Sequence, residues 1–194
     1  MDECEWPVLH GEQCSLAVLS VDDAQAWKAG EDEEQRRWFD FPGPAPMENV
    51  VKAIKNWRHN WLTDGPLRQW GVWSNGQLAG GLDLRDRGDR RANLSYVIFP
   101  LFRRQGLATE AIRLATQWAF GNMSVDAAVA IIDEANLASR ATVERNGFVL
   151  EGPAERWEYD ETGPSLRYVL SAGYERRLRQ SRVSSGPQPS SLQP

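Results

Sequence analysis

Apolar positions along the chain change period several times, and each change marks a predicted element. Residues Leu16 to Leu19 form a short apolar stretch that reads as an opening strand. Ser20 follows with Asp23 three positions on, the spacing of a helix N-cap and its capping box. Glu31 to Glu34, then Arg36, Arg37, Trp38 and Phe39, predict a short helix with acids toward its positive end and bases toward its negative one. Phe41 to Pro46 is proline-rich and breaks it. From Met47 to about Leu62, Val50, Ile54, Trp57 and Trp61 recur on one helical face. Leu67 to Trp73 and Leu78 to Leu84 flank Asn75-Gly76, a dipeptide that suits a tight hairpin, so two antiparallel strands are expected.

The second half reads differently. Ala92 to Phe99 is a strand, Pro100 to Gln105 a loop, and about Gly106 to Phe120 a helix with Ala108, Ala111, Ile112, Ala115, Trp118 and Ala119 on one face. Ala127 to Ile132 is nearly unbroken in its apolar character, as expected of a parallel strand covered on both faces. Strand, helix and strand make a right-handed crossover. Leu137 to Arg145 predicts a helix ended by Asn146-Gly147, and Phe148 to about Trp157 pairs with Leu166 to Leu170 as closing strands. The result is a mixed α/β domain over residues 1–174. The basic and polar stretch 175–194 has a composition that cannot bury a core and is expected to be disordered.

Composition narrows the chemistry. Of 194 residues, 41% are hydrophobic and 25% charged, which is ordinary for one globular domain; nine tryptophans are many, enough for core packing and a cleft. A net charge of -5 argues against nucleic acid as a partner and tolerates an amine-bearing substrate. Arg176, Arg177, Arg179 and Arg182 in the tail would suit a nucleic-acid contact, and a solvated helix end explains them equally well. No apolar run approaches the ~18 residues of a membrane span and the start is acidic, so a cytoplasmic protein is expected. His10 and His59 are the only histidines, too few for a histidine triad or a multi-histidine metal site. Cys4 and Cys14 lack metal-ligand spacing and read as incidental thiols. No metal is expected.

The candidate chemistry begins at the turn between the central strand and its helix. Arg103-Arg104-Gln105-Gly106-Leu107-Ala108 can aim successive N–H groups at an anion, and the helix N-terminus adds positive partial charge. Gly106 lets the backbone approach a phosphate closely. This is neither a Walker loop nor a dinucleotide fingerprint. An ordinary solvent-facing turn would share its composition.

These six residues resemble the R/Q-x-x-G-x-G/A coenzyme A signature of GCN5-related N-acetyltransferases, the GNAT superfamily. Asn136, Ser139 and Gly147-Phe148 follow in the order of a second superfamily motif, and the resemblance spans roughly Leu16 to Leu170. Residues 32–39, 93–100 and 136–148 and the Glu151-Gly152 pair further resemble the ribosomal-protein alanine/serine branch, the RimJ/RimL type.

The resemblance implies the GNAT acyl-CoA N-acyltransferase fold, a mixed sheet flanked by helices, with a splayed parallel strand pair that takes the pantetheine arm of acetyl-CoA. Backbone groups of Val97, Ile98 and Phe99 would pair with that arm, one strand N–H would stabilise the oxyanion, and Asn136 would bond the pantetheine. The acceptor would be a peptide or protein N-terminus or a small amine, attacking directly in a ternary complex. Where many members carry a glutamate on the central strand, this chain offers Asn93 and Ser95. Glu158 matches a glutamate of the ribosomal branch, and Asp83 competes as base because it alternates against Leu82 and Leu84. At the position of the family's usual tyrosine stands Val143, so Ser139 is the candidate proton donor to the thiolate. Capping the helix near Leu137 is its plainer role. Trp38, Phe39 and Trp57 are candidates for the acceptor wall, with Trp57 and Trp61 also fitting a core face. The family's habits make a homodimer the expectation. The competing reading is a non-catalytic acyl-CoA sensor or partner-binding domain on the same fold.

Overall fold

The computed structural model describes residues 6–40, 42–155 and 163–173. Glu158 and the stretch 175–194 lie outside them.

The chain opens with two short strands, β1 (Leu9–His10) and β2 (Ser15–Ala17). The first had no sequence signal, being only two residues long. At Ser20 the capping box forms as the spacing predicts, on a single turn of 3-10 helix that runs into α1 (Ala24–Ala29). Asp32 caps α2 (Glu33–Trp38) by accepting the Gln35 N–H, and α3 covers Met47–Leu62. β3 (Leu67–Ser74) and β4 (Gln77–Asp86) meet at Asn75-Gly76, both with positive φ (50° and 76°), as a tight hairpin requires. Then come β5 (Arg91–Ile98), α4 (Leu107–Asn122), β6 (Ala127–Asp133), α5 (Leu137–Arg145), β7 (Val149–Pro153) and β8 (Ser165–Ser171).

The eight strands of the described residues form one sheet in the order β1-β2-β3-β4-β5-β6-β8-β7. Among them only β5 and β6 pair in parallel, through Arg91↔Ala127, Ala92↔Ala128 and Asn93↔Val129. Beyond Asn93, β5 stays paired to β4 as far as Ile98, while β6 stays paired to β8 as far as Asp133. The two central strands therefore part after three residue pairs, and a wedge opens between them.

Alternation along the strands sorts side chains to two faces. One face carries Trp70, Leu82, Leu84, Leu94, Ala128 and Ala130 against Leu107, Ala111, Ile112, Ala115 and Ala119 of α4. The expected Ala108 gives way on that face to Leu107, while buried Thr116 satisfies its hydroxyl on Ile112 O at 2.8 Å. Trp61 wraps the β3 edge to meet Trp70 and Trp118 at centroid distances of 5.1 and 5.5 Å. The other face of β3 and β4 is covered by a smaller cluster of Leu19, Ala24, Val50, Ile54, Leu78 and Phe99. There Gly81 has a steric duty: a Cβ would lie 2.5 Å from the Trp27 ring, so the indole rests on bare backbone.

Candidate active site

The turn into α4 bends sharply because Arg104 (φ 62°) and Gly106 (φ 81°) are both left-handed. Gly106 is the N-cap and no side chain caps the helix, so the N–H groups of its first turn are presented without a side-chain acceptor. Successive amides in such a turn, with the positive end of a 16-residue helix behind them, form an anion cradle. A Cβ on Gly106 would meet Gln13 Oε1 at 2.7 Å, because the β1–β2 turn forms one wall of the cradle. Glu110, in the first turn of α4, secures that wall by accepting N–H bonds from Glu12, Gln13 and Cys14 at 2.7–2.8 Å. Burial pushes the Glu110 pKa up, but the three N–H donors prevail and hold it below the ordinary glutamate value. Sequence reasoning missed this clamp, since its partners lie 96–98 positions away.

Arg103 has a different task from its neighbours. Its guanidinium binds Asp32 through two nitrogens (2.7 and 2.9 Å), Glu34 at 2.7 Å and the Ile98 carbonyl at 2.9 Å. That side chain is committed to protein partners and ties α2 to the end of β5. The Arg103 bond holds the Asp32 carboxyl below its usual range.

The wedge between β5 and β6 exposes a defined set of backbone groups. Phe99 donates its N–H to Ala79 O at 2.8 Å, and the β4–β5 register runs without a shift from Gly80↔Ile98 to Asp86↔Ala92. Antiparallel alternation then turns the N–H and C=O of Val97 and Ser95 toward β4, and those of Tyr96 and Ile98 toward the wedge. This corrects the expectation for Val97 and Phe99: the groups of Val97 and the N–H of Phe99 belong to the sheet, and the Phe99 carbonyl accepts the Phe102 N–H at 2.9 Å. Ile98 stays on the wedge, where its carbonyl already accepts from Arg103. Tyr96, missed from sequence, joins it.

Across the wedge, Asn136 is the N-cap of α5 and accepts the Ser139 N–H at 3.1 Å. Ser139 therefore does not cap the helix, which corrects its plainer expectation. Its Oγ lies 2.8 Å from the Tyr96 hydroxyl. Val143 is fully buried in the core.

Asp83 lies on the sheet face opposite Leu82 and Leu84, as alternation predicts, directly across from Ser95 on β5 and Gln69 on β3. It is one strand in from the wedge, about 4.8 Å in the pairing direction. Burial pushes its carboxyl up to about 7, against the opposing pull of Arg85. Cys14, the only cysteine among the described residues, is buried, and burial together with the Glu110 charge raises its thiol to about 12. It offers no nucleophile at neutral pH.

A cleft of about 500 Å³ lies between the α2 region and the far end of β6, with Glu33, Arg37, Trp38, Asp40 and Asp133 in its lining. Trp38 thus faces the cleft, with the Arg37 guanidinium 4.8 Å from its ring centre. Phe39 is the C-cap of α2 and is not in that lining. Trp57 packs edge-on against Trp27 at 5.0 Å, and Trp27 in turn against Phe99 at 5.7 Å. Trp57 stays half-buried and packs against the smaller core cluster, in keeping with its core face, and it is not among the residues that line the cleft. No cluster of metal-ligating side chains occurs among the described residues, and no helix among them is long and apolar enough to cross a membrane.

Comparison with known proteins agrees with this geometry. Residues 15–149 match the family described as an acetyltransferase (GNAT) domain. The N-acetyltransferase YoaA of Bacillus subtilis, uncharacterised, is 23% identical over 171 residues, covering 86% of this chain and 96% of YoaA. Spermidine N(1)-acetyltransferase of Escherichia coli K12 is 29% identical over 119 residues, 60% of this chain and 61% of that enzyme. Among solved structures, RimL, a ribosomal L7/L12 alpha-N-protein acetyltransferase in complex with coenzyme A, superposes with a TM-score of 0.75 at 16% identity, covering 85% of this chain and 98% of RimL. The family match alone takes in well over half of the sequence, and the chain belongs to the GNAT acetyltransferase family.

Proposed function

We propose that the protein moves the acetyl group of acetyl-CoA to a primary amine by direct attack in a ternary complex. The observation that carries this reading is the wedge between β5 and β6 beside an uncapped, left-handed turn at the start of α4. A pyrophosphate would take the N–H groups of the turn around Arg104, Gln105, Gly106, Leu107 and Ala108. The pantetheine amides would replace the missing β5–β6 ladder, satisfying the N–H and C=O of Tyr96 and the N–H of Ile98, whose carbonyl already accepts from Arg103. Asn136, at the head of α5, would bond the same arm. A strand N–H at the wedge would stabilise the oxyanion as the thioester carbon becomes tetrahedral.

The attacking amine must be neutral. Asp83 is the base we favour: a carboxyl pushed to about 7 is half ionised near neutral pH and holds its proton well once it has one. Through water, it can take the amine's proton from one strand away. Glu158 remains the rival, outside the described residues. Cys14 is buried with its thiol raised to about 12, so the described residues hold no cysteine nucleophile, which favours direct attack over an acetyl-enzyme.

The acceptor would enter by the cleft beside Trp38, whose lining sets the carboxylates of Glu33, Asp40 and Asp133 against the guanidinium groups of Arg36 and Arg37. The acceptors of the two relatives, spermidine and a protein α-amino group, are both amines. Coenzyme A release from acetyl-CoA, followed with a thiol reagent, tests the proposal across peptides with varied N-termini, polyamines and amine antibiotics. Release above a no-acceptor control with one class identifies the acceptor. Acetyl-CoA binding by calorimetry without release from any class would favour the non-catalytic sensor instead.

A further inference from the structure

Tyr96 occupies a position where two roles meet. Its backbone N–H and C=O face the wedge by strand alternation, while its side chain crosses under α5 on the opposite side of the sheet from Asp83. There the hydroxyl lies 2.8 Å from Ser139 Oγ and 3.3 Å from the Ser139 carbonyl. A phenol has one proton to donate. Within an α-helix the Ser139 carbonyl is already the acceptor of the residue four positions on, so the closer Oγ is the better acceptor. Burial raises the Tyr96 pKa against the opposing pull of the Ser139 and Thr142 bonds, so the phenol keeps its proton through neutral pH. Ser139 is held at its other end by the Asn136 cap on its N–H.

We infer that Tyr96 is a positioning residue for the leaving thiolate: by donating to Ser139 Oγ it turns the serine's own O–H toward the wedge, where the sulfur departs. The inference rests on the acetyl-transfer reading above. In the step it serves, the amine nitrogen bonds the acetyl carbon and the carbon–sulfur bond breaks. Sulfur leaves with the electron pair, and the amine's surplus proton passes to the base. Ser139 donates a hydrogen bond to the sulfur, and no proton leaves Tyr96. The pair supplies from a strand and a helix terminus a hydroxyl donor that buried Val143 cannot.

A double-mutant cycle tests the arrangement. Tyr96→Phe keeps the ring and removes only the hydroxyl. It should lower kcat on the order of tenfold. The KM for acetyl-CoA, and its affinity by calorimetry, should stay within about twofold, since the backbone contacts to pantetheine are kept. Ser139→Ala should cost at least as much in kcat, and the double variant should be no slower than Ser139→Ala alone. A Tyr96→Phe protein with wild-type kcat, or a double variant slowed by the product of the two single effects, overturns the inference. Wild-type protein that releases no coenzyme A with any acceptor overturns instead the transfer reading on which it stands.

Discussion

The two sides of the wedge are built by different means. On the side proposed for the cofactor, the residues from Arg103 to Ala108 are contiguous, and what they offer is largely backbone N–H groups at one helix terminus. On the side proposed for the acceptor, Asp83 comes from β4, Ser95 from β5, Trp38 from α2 and Asp133 from β6. One site is a local conformation and the other an assembly. Arg103 joins them, with its backbone in the turn and its guanidinium on Asp32, Glu34 and the Ile98 carbonyl. The comparison teaches that a local site tolerates change in side chains and fails when its φ angles change. An assembled site fails when one distant side chain is lost.

The largest expected effect falls on the assembled side. Asp83→Asn should lower kcat/KM by roughly 10²- to 10⁴-fold, the range for losing a general base, while acetyl-CoA still binds. In the wild type, kcat/KM should rise with pH as Asp83 ionises through about 7, a limb that the variant lacks. Full activity in Asp83→Asn would transfer the base to Glu158.

Next comes the local side. Gly106→Val places a β-branched residue at φ 81° and a Cβ against Gln13. Acetyl-CoA affinity should fall by at least about tenfold by calorimetry, because strain of about 1–3 kcal/mol is relieved only by distorting the turn. Arg104→Ala also lies at a positive φ but retains the turn's amides, so it should weaken binding much less.

The link between the sides is expected to give a smaller, diagnostic effect. Arg103→Ala frees α2, so the KM for the amine should rise several-fold while that for acetyl-CoA moves less. An equal rise in both would mean that the guanidinium serves the cofactor instead. Its exposed portion limits the loss of stability to about 1–2 kcal/mol.

The smallest effect concerns stability and has a sign opposite to the first. Folding raises the Asp83 carboxyl from 3.8 to about 7, so the folded state binds the proton more tightly than the unfolded chain. Its contribution to stability is full below pH 4 and is lost as pH rises toward 7. Asp83→Asn should therefore raise the melting temperature by a few degrees at pH 8 relative to wild type, and by less at pH 4. The ionised carboxylate is a cost to stability.

Much of this is legible in the sequence. The Ser20–Asp23 box, the Asn75-Gly76 hairpin, α3 and α5 follow from short-range patterns, because caps, turns and amphipathic faces are set by residues within a few positions of each other. The anion cradle was readable for the same reason, and so was the side of the sheet on which Asp83 lies, since strand period alone decides it.

Partners distant in sequence were not legible. Nothing near Arg103 announces Asp32, 71 positions away, and nothing near Glu110 announces the amides of the β1–β2 turn. The direction in which Val97 and Tyr96 turn their backbone groups depends on the register of β5 against β4, which two distant strands settle between them. The Tyr96–Ser139 pair waits on α5 crossing the wedge, and Trp57 reads as cleft or core until α1 brings Trp27 against it. By itself the sequence determined all but the shortest elements, their order and the turn from Arg103 to Ala108, because covalent neighbours fix these. Tertiary structure alone decided which side chains meet at the wedge and which proton Asp83 keeps, because burial and long-range contacts exist only once the sheet has formed.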